Sequence, residues 1–136
     1  MNNKGKLLLF LLLLAVAVPL LLPRNRTVYG VSDGGIYHMA AESEDALAPY
    51  IRFFYSGNSL RFRSSMDIRI SLAVDGTAEL RNGKVRTVSD DGKQIWAFEV
   101  RDNETLIFLA EDSTVPLNKD GEPVIPDGAV FRFEEF

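Results

Sequence analysis

The chain contains no cysteine, so disulfides, thiolate metal sites and cysteine nucleophiles are all excluded. It has a single histidine, His38, between Tyr37 and Met39. A histidine-based metal site would have to be completed by carboxylates, and a Ser-His-Asp arrangement would have to form around this one ring. Neither has a local pattern to support it, and the ordinary reading of His38 is a strand residue. No acidic residue precedes Pro23, and after that point 13 bases face 19 acids, a net −6 for residues 24–136. A domain of that sign lacks the basic footprint that phosphate backbones require, which argues against nucleic acid as a partner. No spacing singles out a pair of carboxylates for glycoside hydrolysis, and no nucleophile motif is present. The expectation is a protein that is not an enzyme, with no catalytic residues, no cofactor and no metal ligands.

One long hydrophobic run is present. Leu7 to Leu22 is sixteen consecutive apolar residues interrupted only by Pro19, preceded by Lys4 and Lys6 and followed by Pro23, Arg24 and Arg26. As a helix it would span ~24 Å, near the lower limit for crossing a bilayer. Residues 1–23 therefore read as an N-terminal membrane anchor, one transmembrane helix, with 24–136 as a separate domain. Ala15-Val16-Ala17 offers a small-x-small cleavage site, so a signal segment removed on secretion is the alternative. Cutting there would leave Val-Pro-Leu-Leu-Leu-Pro at the new terminus, which favours the anchor. The amino terminus, Lys4 and Lys6 outweigh Arg24 and Arg26 by one charge, which places the C-terminal domain outside the cytoplasm.

From Thr27 onward the pattern has period two, with turn signals every 8 to 12 residues. Strands are expected at Thr27–Val31, Ile36–Ala40, Tyr50–Tyr55, Leu60–Ser64, Asp67–Val74, Thr77–Arg81, Lys84–Ser89, Gln94–Arg101, Thr105–Glu111 and Ala129–Glu135. Asp75-Gly76 and Asn82-Gly83 read as type I′ hairpin turns, because both pairs tolerate positive φ at each central position. Asp90-Asp91-Gly92 reads as a looser turn, and Asn118 to Glu122 as a Gly turn, since it lacks the regular acidic ligands of a calcium loop. Glu42 to Leu47 suggests one helical turn, capped by Ser43 and closed by Pro49. Alternation assigns Ile51, Phe53, Tyr55, Leu60, Phe62, Trp96, Phe98, Val100, Leu106, Phe108, Phe131 and Phe133 to the interior, and puts Ile68, Ile70, Leu72 and Val74 on one face. So many short strands imply an all-β antiparallel meander forming a small barrel, which removes exposed edges; a β-sandwich is the alternative.

The stretch Tyr50-Ile51-Arg52-Phe53-Phe54-Tyr55-Ser56-Gly57-Asn58-Ser59-Leu60 resembles the "Y-L-R-F-Y-x-D-G-x-V" hairpin of small lipocalin-like bacterial β-barrel domains. Tyr29-Gly30 followed by Ile36-Tyr37 is similar to their opening strand. Ser56 stands where an acidic turn residue is usual, Ser59 takes the Thr place, and the closing short helix is not found. The resemblance covers about a third of the domain. It implies an antiparallel meander barrel and supplies no catalytic residue.

Two features point to a binding surface. Ala46 to Val88 carries seven bases against three acids, whereas Ser89 to Phe136 carries four bases against twelve. Arg52, Arg61, Arg63 and Arg69 could form a basic wall toward an anionic ligand, a lipid headgroup or an acidic partner; solvated faces and cross-strand ion pairs are the ordinary alternative. The connection Asp112 to Gly128 holds three prolines, with apolar Val115, Leu117, Val124 and Ile125, and loops of this length are frequently lids. It could equally pack across a barrel end and bury those four side chains. The expectation is a membrane-tethered binding module for a partner protein or small ligand. A structural accessory subunit of a membrane complex is the alternative, and a hydrolase the third.

Overall fold

A computed structural model describes residues 30–40, 48–66 and 73–136. The expected anchor, the helical turn at Glu42–Leu47, Arg69 and the face bearing Ile68, Ile70 and Leu72 lie outside the described residues, as does most of the strand expected at Asp67–Val74. Among the described residues no helix is long and apolar enough to cross a membrane.

Eight strands are present: β1 (Gly35–Met39), β2 (Tyr50–Ser56), β3 (Ser59–Ser65), β4 (Val74–Arg81), β5 (Lys84–Ser89), β6 (Ile95–Asp102), β7 (Thr105–Phe108) and β8 (Val130–Glu135). Each pairs antiparallel with the next in sequence, and β8 closes on β1 through Gly35↔Glu135 to Met39↔Phe131, giving a closed barrel. The meander barrel expected from period-two patterning is thus the fold, and the sandwich is not.

Nine of the twelve residues assigned inward are buried: Ile51, Phe53, Phe62, Trp96, Phe98, Val100, Leu106, Phe108 and Phe131. Leu60 and Phe133 are partly buried against that cluster. Tyr55 is a correction, at 61 % exposed. It follows the inward alternation but lies one residue from the end of β2, past the last layer of the core. Tyr37, Val85, Met66 and Ile125 complete the core. Phe98 packs edge-on against both Phe108 and Phe131, with ring centroids 5.6 and 5.2 Å apart, the geometry that aromatic quadrupoles favour.

The hairpin expected at Asp75-Gly76 is also a correction. Both residues lie inside β4, where Asp75 pairs with Arg63 and Gly76 with Phe62 on one side and Ser89 on the other. A Cβ at Gly76 would collide with the Val88 carbonyl oxygen and would sit 2.6 Å from Phe62 Cε1 and 2.8 Å from Ser89 Cα. Glycine is required here by close approach and not by left-handed backbone. Asn82-Gly83, by contrast, is the expected type I′ turn, with φ of 52° and 72°.

β7 ends at Phe108, short of the expected Glu111, and the contact with β6 goes on through the Leu109 amide donating to the Ala97 carbonyl (2.9 Å), the Thr114 amide donating to the Ile95 carbonyl (2.7 Å) and two side chains. The Ala97 amide donates to Ser113 Oγ (2.8 Å) and the Ile95 amide to Thr114 Oγ1 (2.9 Å), around a single 3₁₀ turn at Ala110–Asp112. Asp127 Oδ1 accepts from the Ala110 amide at 2.9 Å and pins the far side of the connection. No strand covers the described part of Thr27–Val31, since Gly30 and Val31 are not in a ladder.

Strand direction alternates, so the connections fall at two unlike ends. One end carries the two-residue turns 57–58, 82–83 and 103–104. It is sealed by residues 30–34: the Ser32 amide donates to the Tyr37 hydroxyl (2.7 Å), and that hydroxyl donates to the Asn103 carbonyl (2.6 Å). Burial pushes the Tyr37 phenol above its ordinary range. The other end carries the longer connections 40–49, 66–73, 90–94 and 109–129. Any chamber accessible from solvent belongs at that second, open end.

Candidate functional site

The barrel interior near its sealed end and middle is filled. Phe53, Phe62, Phe98, Phe108 and Phe131 have no accessible surface. Toward the open end the inward positions become smaller and more polar, with Ser64, Thr87 and Ser89 buried alongside Met66. The Thr87 hydroxyl is used up locally, donating to the Trp96 carbonyl (3.1 Å) and accepting from the Trp96 amide (3.2 Å). This anchors Trp96, the only tryptophan of the chain, to β5.

A cavity of about 650 Å³ lies at this end, between the start of β4, the β5–β6 turn and the loop after the 3₁₀ turn. Its apolar wall is made by Met66, Val74, Trp96, Val115 and Pro116. Its polar wall includes Asp75, Ser89, Asp90, Asp91 and Lys93. The size falls within the ~300–1,000 Å³ range of small-molecule sites. Two buried polar atoms near this end have no hydrogen-bond partner: Nε1 of Trp96, and Ser64 Oγ, two residues before Met66 and opposite Val74 in the ladder. Buried donors are almost always satisfied in folded proteins, so both are exceptions to the general pattern.

The carboxylates of the polar wall are each engaged. Arg63 grips Asp75 with two parallel hydrogen bonds, Nε to Oδ1 at 2.7 Å and Nη2 to Oδ2 at 3.1 Å. That bidentate contact holds the Asp75 carboxyl below the usual carboxylate range. Arg61 Nη2 donates to Asp90 at 3.0 Å. Asp91 Oδ1 accepts from the Ser89 hydroxyl (2.5 Å) and the Lys93 amide (2.9 Å), which likewise keep its carboxyl low. With Gly92 at φ 74°, these bonds fold the Asp90-Asp91-Gly92 turn expected from the sequence.

The arginines singled out by charge distribution are therefore placed as follows. Arg61 and Arg63 sit on the outer face of β3, tied to Asp90 and Asp75 just outside the cavity. Arg52 is on the outer face of β2, directly opposite Arg63 in the ladder. Its guanidinium lies over the Phe54 and Phe136 rings, 5.6 and 5.1 Å from their centroids, and its Nε has no hydrogen-bond partner. The three do not converge on one chamber.

Of the loop residues, Ile125 is fully buried in the core, Val115 and Val124 pack against it, and Leu117 is 54 % exposed. Between Leu117 and Pro123 the chain folds on itself, with Asn118 Oδ1 accepting from the Asp120 and Glu122 amides (both 2.9 Å) and Gly121 at φ 77°. This is the Gly turn read from the sequence.

His38 is on the outer face of β1, with Nε2 2.9 Å from Glu134 Oε2. Among the described residues no group of three or more histidines and carboxylates could hold a metal ion.

Trp96, Met66 and Ser89 went unmarked as site residues in the sequence, because an inward tryptophan is indistinguishable from core by periodicity alone. The available signal was that Trp96 is the first inward residue after the polar turn at 90–94. Comparison with known proteins finds no family, no curated protein and no solved structure that matches this chain.

Proposed function

We propose that the protein is a non-enzymatic binding module, a membrane-tethered β-barrel outside the cytoplasm that takes a small ligand into the cavity at its open end. One observation carries the reading: a cavity of about 650 Å³ at the open end of the barrel, with an apolar wall of Met66, Val74, Trp96, Val115 and Pro116. The tether and the orientation rest on Leu7 to Leu22 and its flanking charges. An antiparallel meander barrel is also the architecture that the lipocalin-like resemblance of Tyr50 to Leu60 implies.

The test is to purify the full-length protein from membranes into lipid nanodiscs, extract it with organic solvent and identify what is released. A small molecule retained at a fixed ratio to protein is the expected result. An extract without one, together with a stoichiometric co-purifying subunit, would move the reading to a structural accessory subunit. That second reading is favoured by the outer face, where Arg52 stacks on Phe54 and on Phe136, itself 79 % exposed. A reporter fused after Phe136 that is active only in the cytoplasm would overturn the proposed orientation.

A further inference from the structure

We infer that the sealed end of the barrel rests on the bilayer that holds residues 7–22, with Tyr55 and Phe136 as its interfacial side chains, and that the open end faces the aqueous phase. The inference rests on the membrane-tethered reading above and adds an orientation and a lipid-contacting surface.

Chain length decides which end lies near the membrane. Residues 23–29 separate the apolar run from Gly30, the first described residue. Even when taut, that linker reaches no further than about 29 Å. It joins the barrel at the sealed end and at a fixed point, because the Ser32 amide donates to the Tyr37 hydroxyl (2.7 Å) and the Ser32 hydroxyl to the Asn103 carbonyl (2.7 Å). β6 has 8 residues, and a strand of that length at the usual barrel tilt gives a wall roughly 20 Å high. Turning the open end to the membrane would use that distance in running back along the wall, and what is left would have to clear the rim and the connection 109–129. Seating the sealed end needs none of this.

The surface at that end suits a lipid interface. Tyr55, Leu117 and Phe136 are the large hydrophobic side chains exposed among the described residues, and two of them are here. Tyr55 stands beside the 57–58 turn, and the Phe136 amide donates to the Gly34 carbonyl at 3.2 Å. Aromatic rings favour the boundary between headgroups and acyl chains, where one side is apolar and the other wet. Arg81, Lys84 and Arg101, at the same end, make no ion pair among the described residues and are available to lipid phosphates. Asp33, Asp102, Glu104 and Glu135 lie at this end too, so its charge nearly cancels once Arg24 and Arg26 are counted. Insertion of the two rings therefore carries the contact, and attraction to an anionic surface does not. The cavity then opens away from the bilayer, and its ligand enters from the aqueous phase.

The chain has no cysteine, so one introduced cysteine carries one label. Asn58→Cys marks the sealed end and Lys119→Cys the open end, both at exposed positions. Each full-length variant is labelled with a fluorophore and placed in phosphatidylcholine nanodiscs, a fraction of whose headgroups bear a nitroxide quencher. The label at position 58 should lose most of its emission and the label at position 119 next to none. Tyr55→Ser combined with Phe136→Ser should restore much of the emission at position 58. Equal quenching at the two positions, stronger quenching at position 119, or none at either in protein that stays with the nanodiscs would overturn the orientation and leave the anchor standing. Quenching at position 58 that the double substitution does not change would overturn the assignment of the contact to the two rings. Protein that separates from the nanodiscs on gel filtration would overturn the tether and the inference with it.

Discussion

Replacing Gly76 by alanine separates two explanations of the same residue. As the second half of an Asp-Gly turn it would need only a left-handed backbone, and substitutions would cost what they cost at Gly83. In the barrel it is a strand residue with no room for a side chain. The new Cβ would meet the Val88 carbonyl oxygen, Ser89 Cα at 2.8 Å and Phe62 Cε1 at 2.6 Å. Two of these three atoms are backbone of β5, which is laddered to β4 on one side and β6 on the other and cannot retreat from both. Overpacking typically costs about 1–3 kcal/mol, and immovable neighbours place Gly76→Ala at or above about 3 kcal/mol. Gly83→Ala meets open space and carries only the left-handed penalty of about 1–2 kcal/mol, partly offset by a less flexible unfolded chain. The assay is urea unfolding of the full-length protein followed by Trp96 fluorescence. A loss of about 3 kcal/mol is a large share of the roughly 5–15 kcal/mol that holds a domain of this kind together. Phe62→Leu in the Gly76→Ala background should recover only part of it, since one of the three obstructions is removed. A Gly76→Ala variant within about 1 kcal/mol of wild type, or less affected than Gly83→Ala, would refute the packing argument.

Phe98→Ala removes a fully buried ring that contacts Phe108 and Phe131, and should cost about 3–5 kcal/mol in the same urea assay. Tyr37 has its phenol raised by burial, so the folded state keeps the proton longer than the unfolded chain; that contribution is complete below the unfolded value near ~10 and is lost as pH rises through the folded one. Thermal midpoints of wild type and Tyr37→Phe between neutral and alkaline pH should therefore converge as pH rises, and a constant difference would contradict this. Asp75 is lowered by its hydrogen bonds from Arg63, so its contribution is present above the unfolded value near ~3.9 and disappears as pH falls through the lower folded one. Asp75→Asn should flatten that part of the acid limb in a pH series of melting curves, while leaving the alkaline limb unchanged.

Much of the barrel was legible in the amino-acid sequence because its physics is local. Lys84–Ser89 is a strand with the bounds read from its alternation, and Asn82-Gly83 is the turn its φ preference requires. Period two sufficed to assign Phe53, Phe62, Phe98 and Phe131 to the interior, since a strand residue can face only inward or outward. The sum of local patterns also implied closure, as many short strands without a covering layer leave edges to be paired. The candidate site was less legible. Arg61 and Arg63 appeared as surplus charge because their partners Asp90 and Asp75 lie 29 and 12 residues away and meet them only through the β3–β4–β5 ladder. Gly76 read as a turn because a dipeptide records the backbone conformations it permits, not the atoms that press on it. The bonds that Ser113 and Thr114 accept from β6 amides depended on β6 being beside them.

The sequence by itself determined most of the strands, the Asn82-Gly83 turn and the apolar side of strands such as β3 and β6, because neighbouring residues set backbone geometry and alternation. Tertiary structure alone decided that a cavity lies at the open end of the barrel and that Trp96 lines it. A cavity is a property of the space between strands distant in sequence, and no single strand carries a record of it.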